Sequence, residues 1–188
     1  MIVVEDLTVE GLKIVGRSMG WWHRYYAEAA VRRGVATCLV LVDDGRAVGT
    51  AIVYIVDAVL RVGVIYYVAV DPSKRGCGYG KILLASAEEV LEERGCRVFV
   101  ATTTEDNDAA LRLFRSMGYE AIHLDELGRI CPECLDNVLR ATCGYEDDVL
   151  LYKGCSLREL LKVFRRCRAC RDVWYEICYL PWVEMRRL

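Results

Sequence analysis

The sequence predicts an α/β (mixed α+β) fold: one central mixed sheet of six to seven strands flanked by helices. Three observations carry this. Three β-patterned segments follow one another between residues 37 and 70 with only short turns between them. Strand and helix patterns then alternate from residue 68 to 124, which places helices against a sheet that has begun antiparallel. The 188 residues are 54% hydrophobic and 28% charged, enough for one sizeable core and far too apolar for a disordered chain.

In chain order, Ile2 to Val9 reads as a first strand, and Thr8 or Glu10 opens a helical region reaching about Arg33, closed by Gly34. Trp21, Trp22, Tyr25, Ala29 and Val31 supply its apolar face. Cys38–Val42, Ala47–Val56 and Val62–Val70 are β-branched runs, the first two joined by the turn Asp43-Asp44-Gly45. Gly80 to Arg94 carries Ile82, Leu83, Leu84, Ala87, Val90 and Leu91 at helical spacing until Gly95. Val98–Thr102 is a strand, Asp108–Met117 a helix ended by Gly118, and Tyr119–Leu124 a strand. A Cys-bearing insert, about 126–146, precedes a strand at Asp148–Lys153. Ser156 and Glu159 then form a capping box for a terminal helix running to Pro181. This divides the chain into a main domain, 1–153, and a C-terminal helical extension, 154–188, packed on it.

A formal charge of −2 gives no global attraction to nucleic acid or an anionic membrane. Residues 156–188 hold eight Arg and Lys against four Asp and Glu, so the tail is basic, but no base-reading motif accompanies it and a solvated helix face is the favoured reading. The apolar stretch Val48–Val70 contains Asp57 and Arg61 and reads as two strands, not a membrane span. Acidic residues at 5, 6 and 10 argue against a signal peptide, so a cytoplasmic protein is expected. Gln is absent and Asn occurs only at 107 and 137, a composition compatible with a thermophile.

The segment Val68-Ala69-Val70-Asp71-Pro72-Ser73-Lys74-Arg75-Gly76-Cys77-Gly78-Tyr79-Gly80-Lys81 runs from a strand through a glycine-rich loop into a helix. Glycines at 76, 78 and 80 lack Cβ atoms, so successive backbone N–H groups can close around an anion, and the helix start adds unpaired N–H groups and a positive dipole end. Arg75 and Lys81 flank the loop and can neutralise charge there. The spacing fits neither the dinucleotide fingerprint nor a P-loop, since Ile82 follows Lys81. A tight turn that needs positive φ is the plain alternative.

This segment resembles the acyl-coenzyme A loop of the GNAT superfamily of N-acetyltransferases: Arg75, Gly78 and Gly80 fit the family's Arg/Gln-x-x-Gly-x-Gly/Ala pattern. Asn107, Ala110, Leu113, Phe114, Gly118 and Tyr119 resemble a second family segment, in the right order and about thirty residues on. The resemblance implies a fourth strand splayed from the fifth, with acetyl-CoA as co-substrate in the gap. Backbone groups of Val68 and Val70 would meet the pantetheine, Arg75, Gly76, Cys77, Gly78, Tyr79, Gly80 and Lys81 would hold the pyrophosphate, and Asn107 would lie beside the pantetheine. Asn107 also reads as an N-cap for the following helix. The reaction implied is attack of a primary amine on the acetyl carbonyl, the acceptor being a protein N-terminus, a lysine or a small amine.

Two family features are missing. Phe114 replaces the usual Tyr acid, and Val62–Val70 contains no acidic base. Tyr66, Tyr67, Glu105, Tyr119 and His123 are the candidates for proton transfer, each also explicable as an ordinary sheet or core residue. These departures motivate an alternative, a catalytically weak or inactive acyl-CoA-binding regulatory module.

Ten cysteines in a chain expected to be cytoplasmic require a reason. Cys131-x-x-Cys134 and Cys167-x-x-Cys170 have the pairing of a structural zinc site, with disulfides involving these and Cys143, Cys155 or Cys178 an equal alternative. Cys38 and Cys96 suit plain burial. Trp174, Tyr175, Tyr179 and Trp182 suit either a cap on the core or a subunit contact, as in a homodimer.

Overall fold

The computed structural model describes residues 2–4 and 8–187. A short strand β1 (Ile2–Val4) precedes two helices, α1 (Thr8–Met19) and α2 (Trp21–Arg32). Val9, expected at the end of the first strand, lies in α1, and residues 5–7 of that expected strand fall outside the described residues. The single helical region expected to Arg33 is broken at Gly20, whose φ of +101° no helix accommodates. Strands β2 (Ala36–Asp43), β3 (Arg46–Asp57) and β4 (Arg61–Val70) form the expected antiparallel series, each slightly longer than its apolar run.

A 3₁₀ turn at Pro72–Lys74 leads to α3 (Tyr79–Glu93), then β5 (Val98–Thr103), α4 (Asp108–Ser116) and β6 (Glu120–His123). The insert is two helices, α5 (Leu124–Ile130) and α6 (Pro132–Thr142), before β7 (Val149–Lys153). The tail is broken where one helix was expected. It comprises α7 (Leu157–Arg165), capped by the Ser156–Glu159 box, then α8 (Ala169–Trp174), a π turn at Tyr175–Tyr179, and α9 (Leu180–Met185). Pro181 does not end this run, because it occupies the first turn of α9, where a proline's missing N–H costs little.

The seven strands lie in the order β1-β2-β3-β4-β5-β7-β6. Among the described residues only β4 and β5 are paired in parallel. On one face α3 and α4 pack Leu83, Leu84, Ala87, Leu91, Leu111 and Phe114 against β3–β5 and β7. Each such buried side chain contributes about 1.5–3 kcal/mol relative to exposure. The other face is covered by α1 and α2 beside the insert and tail, through Ile14, Val15, Ala27, Val138, Leu160 and Phe164. Among the described residues no helix is long and apolar enough to cross a membrane.

Disulfides join Cys131 to Cys134, Cys167 to Cys170, and Cys143 to Cys178. The zinc alternative is not supported: each Cys-x-x-Cys pair closes on itself across a helix start, with Cα atoms 5.2 and 5.5 Å apart. Among the described residues no three His, Cys, Asp or Glu are grouped for a metal. Cys38 and Cys96 are buried free thiols, as expected, and Cys155 is also free.

Candidate functional site

The sheet opens where its two central strands part. Parallel pairing of β4 with β5 runs from Val62–Val98 to Val64–Val100 and stops, although β4 continues to Val70. On its other edge β4 stays paired with β3 throughout, interrupted by one bulge: Ile65 pairs with Val53 and Tyr67 with Ile52, which leaves Tyr66 out of register. Successive strand residues ordinarily point to opposite faces. The extra residue instead turns both Tyr66 and Tyr67 to the α1–α2 face, their rings 4.1 Å apart. Val68 and Val70 then face α3 and α4.

Backbone direction follows from two bonds. The Asp71 N–H donates to the Val48 carbonyl of β3 at 2.9 Å, so residues 69 and 71 direct their polar groups to β3 while 68 and 70 direct theirs into the gap. In agreement, the Val70 carbonyl accepts from Ser18 Oγ of α1 at 2.6 Å. Val68 is thus a gap-facing residue beyond the last β4–β5 pair, Val64–Val100.

The gap continues into a cleft of about 730 Å³ whose lining includes Tyr66–Val70, Arg75, Gly76, Gly78–Lys81, Thr102, Asn107 and Phe114. Gly76 and Gly78 have φ of +82° and +80°, and a Cβ built at either meets nothing within 4 Å. Packing therefore does not demand glycine at these positions. The backbone conformation does, and the space above the amides stays open. Gly78 caps α3, whose first turn carries no acidic side chain, so the helix's positive end is not neutralised from within. Gly80 serves a different purpose, since a Cβ there would press on Leu113 of α4 at 3.3 Å.

The base of the loop is rigid. Asp71 accepts from the Ser73 hydroxyl at 2.7 Å, the Ser73 N–H at 3.1 Å and Arg17 at 2.8 Å. The Ser73 hydroxyl, its backbone N–H and Arg17 together hold the Asp71 carboxyl below the usual carboxylate range. Tyr79 points away from the loop and donates to Asp43 Oδ2 at 2.5 Å, which pins α3 to the β2–β3 turn and pushes the phenol up to about 12. Arg75 reaches the Ser18 carbonyl at 3.4 Å. Lys74, Arg75 and Lys81 have no acidic partner among the described residues, so the mouth is electropositive. Cys77 is exposed and free. These features fit a diphosphate at the loop and an extended thiol-bearing arm along β4.

The other expected residues divide. Asn107 lines the cleft and also caps α4, accepting from the Ala110 N–H at 3.2 Å. Glu105 and His123 pair with each other at 3.3 Å on the exposed ends of β5 and β6, outside the cleft lining. Tyr119 is buried on the helical face, edge-on to Phe114, with its hydroxyl toward Glu88. Tyr66 and Tyr67 line the gap with their rings against each other. Burial pushes both phenols up, so they stay protonated: good hydrogen-bond donors, poor deliverers of a proton to a thiolate.

Sequence reasoning missed a group beside them. Asp147, in the loop before β7, lies within electrostatic reach of Tyr66, Tyr67 and His23 and shares the space above Gly144 with the Thr102 hydroxyl. Burial raises its carboxyl above the ordinary Asp value. His23 stands edge-on to Tyr67, ring centres 5.5 Å apart. The run Glu146-Asp147-Asp148 was the available signal, but nothing in it showed which acid turns inward.

The sheet is thus mixed and split between two parallel central strands, with an amide-lined helix start at the split. The profile of the Acetyltransferase (GNAT) family matches residues 9–119, more than half of the chain, which belongs to that family. Among curated relatives, mycothiol acetyltransferase of Kocuria rhizophila is 36% identical over 67 residues, 36% of this chain and 22% of that protein. The Thermomonospora curvata mycothiol acetyltransferase is 36% identical over 71 residues, 38% of this chain and 24% of that one. The matched region is thus under a quarter of the relatives' length. Among solved structures, the ribosomal-protein-S18-alanine N-acetyltransferase of Escherichia coli superposes with a TM-score of 0.58 at 19% identity, covering 83% of this chain and 94% of that one. An acetyltransferase of Bacillus subtilis in complex with CoA gives 0.59 at 17% identity, covering 82% and 97%.

Proposed function

We propose that this protein transfers an acetyl group from acetyl-CoA to a primary amine. The observation that carries the reading is the continuity of the β4–β5 gap with the open amides of Gly76–Gly80. One surface there offers backbone groups to an extended arm and a positive helix end to a diphosphate.

The chain's residues would act as follows. Amides from 76 to 80, with the Arg75 and Lys81 side chains, bind the diphosphate. Val68 pairs its gap-facing backbone with the arm and orients it along β4. The bulge at Tyr66 releases backbone amide from the ladder beside the narrow end of the gap, where it can stabilise charge developing on the acetyl oxygen. Phe114 contributes shape and excludes water, and Tyr66 and Tyr67 donate hydrogen bonds.

Calorimetric titration with acetyl-CoA, followed by thiol-release assays with a free N-terminal peptide, a lysine peptide and tyramine, tests this. Saturable binding with amine-dependent CoA release is expected. Binding without release by any amine would favour the regulatory acyl-CoA-binding module, which the Phe at 114 motivates. Absence of binding would reject both.

A further inference from the structure

We propose that Asp147 is the residue that receives the protonated acceptor amine and takes its proton, and that the acceptor is a cationic primary amine with no carboxylate beside the nitrogen. This rests on the acetyl-transfer reading above. Three placements carry it.

The first is position. Asp147 sits just behind the cleft lining: its Oδ2 and the Oγ1 of Thr102, a lining residue, both crowd the Gly144 backbone, and the lining residues Tyr66 and Tyr67 lie within its electrostatic reach on the α1–α2 face. An acceptor there approaches the gap from the side away from the diphosphate loop. The second is how the carboxylate is held. The Asp147 N–H bonds the Gly144 carbonyl at 3.3 Å, and the next N–H, of Asp148, bonds the Thr103 carbonyl at 3.1 Å, so the loop is fastened to the end of β5. A Cβ at Gly144 would collide with Thr102 Oγ1 and approach Asp147 Oδ2 to 2.9 Å. The glycine lets hydroxyl and carboxylate converge. The third is surroundings. His23, Tyr66, Tyr67 and the buried Tyr26 bring aromatic rings from α2 and β4, surfaces that attract an ammonium. Asp148 is already engaged by the Glu105 N–H at 3.1 Å, and Glu146 is exposed, which leaves Asp147 as the acid turned inward.

The groups facing Asp147 are Thr102 from β5, Tyr66 and Tyr67 from β4, His23 from α2, and Glu146 and Asp148 beside it in the chain. Desolvation is the leading influence and raises the carboxyl, with Asp148 and Glu146 adding to it and Thr102 and His23 opposing, a balance that favours a proton acceptor. In the step, the carboxylate removes one proton from the ammonium and passes it to solvent past His23. The freed nitrogen lone pair forms the C–N bond, the C–S bond breaks, and the second nitrogen proton goes to the departing sulfur. One amide, one thiol and one solvent proton result.

The test uses Asp147→Asn in the full chain, with tyramine and tyrosine as probe amines. Acetyl-CoA affinity and thermal stability should be retained or improved. Tyramine kcat/KM should fall about a hundredfold or more, and the wild-type rise of kcat/KM with pH should flatten in the variant. Wild type should favour tyramine over tyrosine at least tenfold, and the variant should lose that preference. Unchanged kcat/KM or pH profile in the variant, or equal wild-type use of the two amines, overturns the proposal. If wild type turns over neither amine, calorimetry with tyramine on CoA-saturated protein decides: binding lost in the variant supports the assignment, and binding retained or absent overturns it. Failure of acetyl-CoA itself to bind wild type is a separate readout and rejects the underlying reading.

Discussion

Replacing Gly78 by Ala separates the backbone and ligand functions of the loop. Gly78 sits at φ +80°, ψ 0°, and a Cβ there meets no atom within 4 Å. The folded protein therefore suffers only the left-handed conformation, about 1–2 kcal/mol for an L-residue. For a chain of this size that lowers Tm by about 2–8 °C. The methyl group would, however, occupy the space kept open over the amides, so CoA affinity should fall at least about tenfold, roughly 1.4 kcal/mol. Gly45→Ala is the matched control, because Gly45 has φ +70° with equally empty surroundings but lies in the β2–β3 turn. Differential scanning fluorimetry and calorimetric CoA titration should show similar Tm losses in both variants and weakened CoA binding in Gly78→Ala alone. Equal CoA affinity in the two variants would refute the assignment of the loop.

Other consequences concern the frame around the site. Cys143–Cys178 spans 35 residues of sequence and ties the loop before β7 to the tail, which corresponds to about 4 kcal/mol of chain-entropy stabilisation; the two Cys-x-x-Cys bonds add about 1.6 kcal/mol each on the same scale, so Cys143→Ser should reproduce about half of the Tm loss caused by reductant, and an unchanged Tm would contradict the bond's structural role. Tyr54→Phe deletes a buried hydroxyl that donates to the Ala141 carbonyl at 2.6 Å and should cost about 1–3 kcal/mol in urea unfolding. Asp71 is held below its unfolded pKa by Ser73 and Arg17, so its contribution is fully present above about pH 4 and disappears as pH falls through the folded value. The stability difference between wild type and Asp71→Asn should accordingly be largest near neutrality and close below about pH 4, and a difference that grows in acid would contradict this.

Local chemistry made the loop and the central strands legible in advance. Glycine spacing, β-branched runs and the apolar period of α3 each act over a few residues, and Arg75, Gly78 and Asn107 line the cleft. What escaped depends on distant contacts. The bulge at Tyr66 arises from the register against Ile52 and Val53, which no period of β4 alone reveals. Asp147 comes near Thr102 only because β7 returns between β5 and β6 and carries its preceding loop there. Glu105 and His123 lie close in the fold but pair with each other at the surface. The tail's continuation through Pro181 reflects a π turn, which the sequence does not mark.

The most direct measurement is a crystal structure of the protein with CoA. The account predicts the diphosphate on the amides of Gly76 to Gly80 and the pantetheine along the Val68 backbone, its sulfur reaching toward Tyr66. A ligand seated elsewhere, or a β4–β5 ladder closed beyond Val64–Val100, would contradict it.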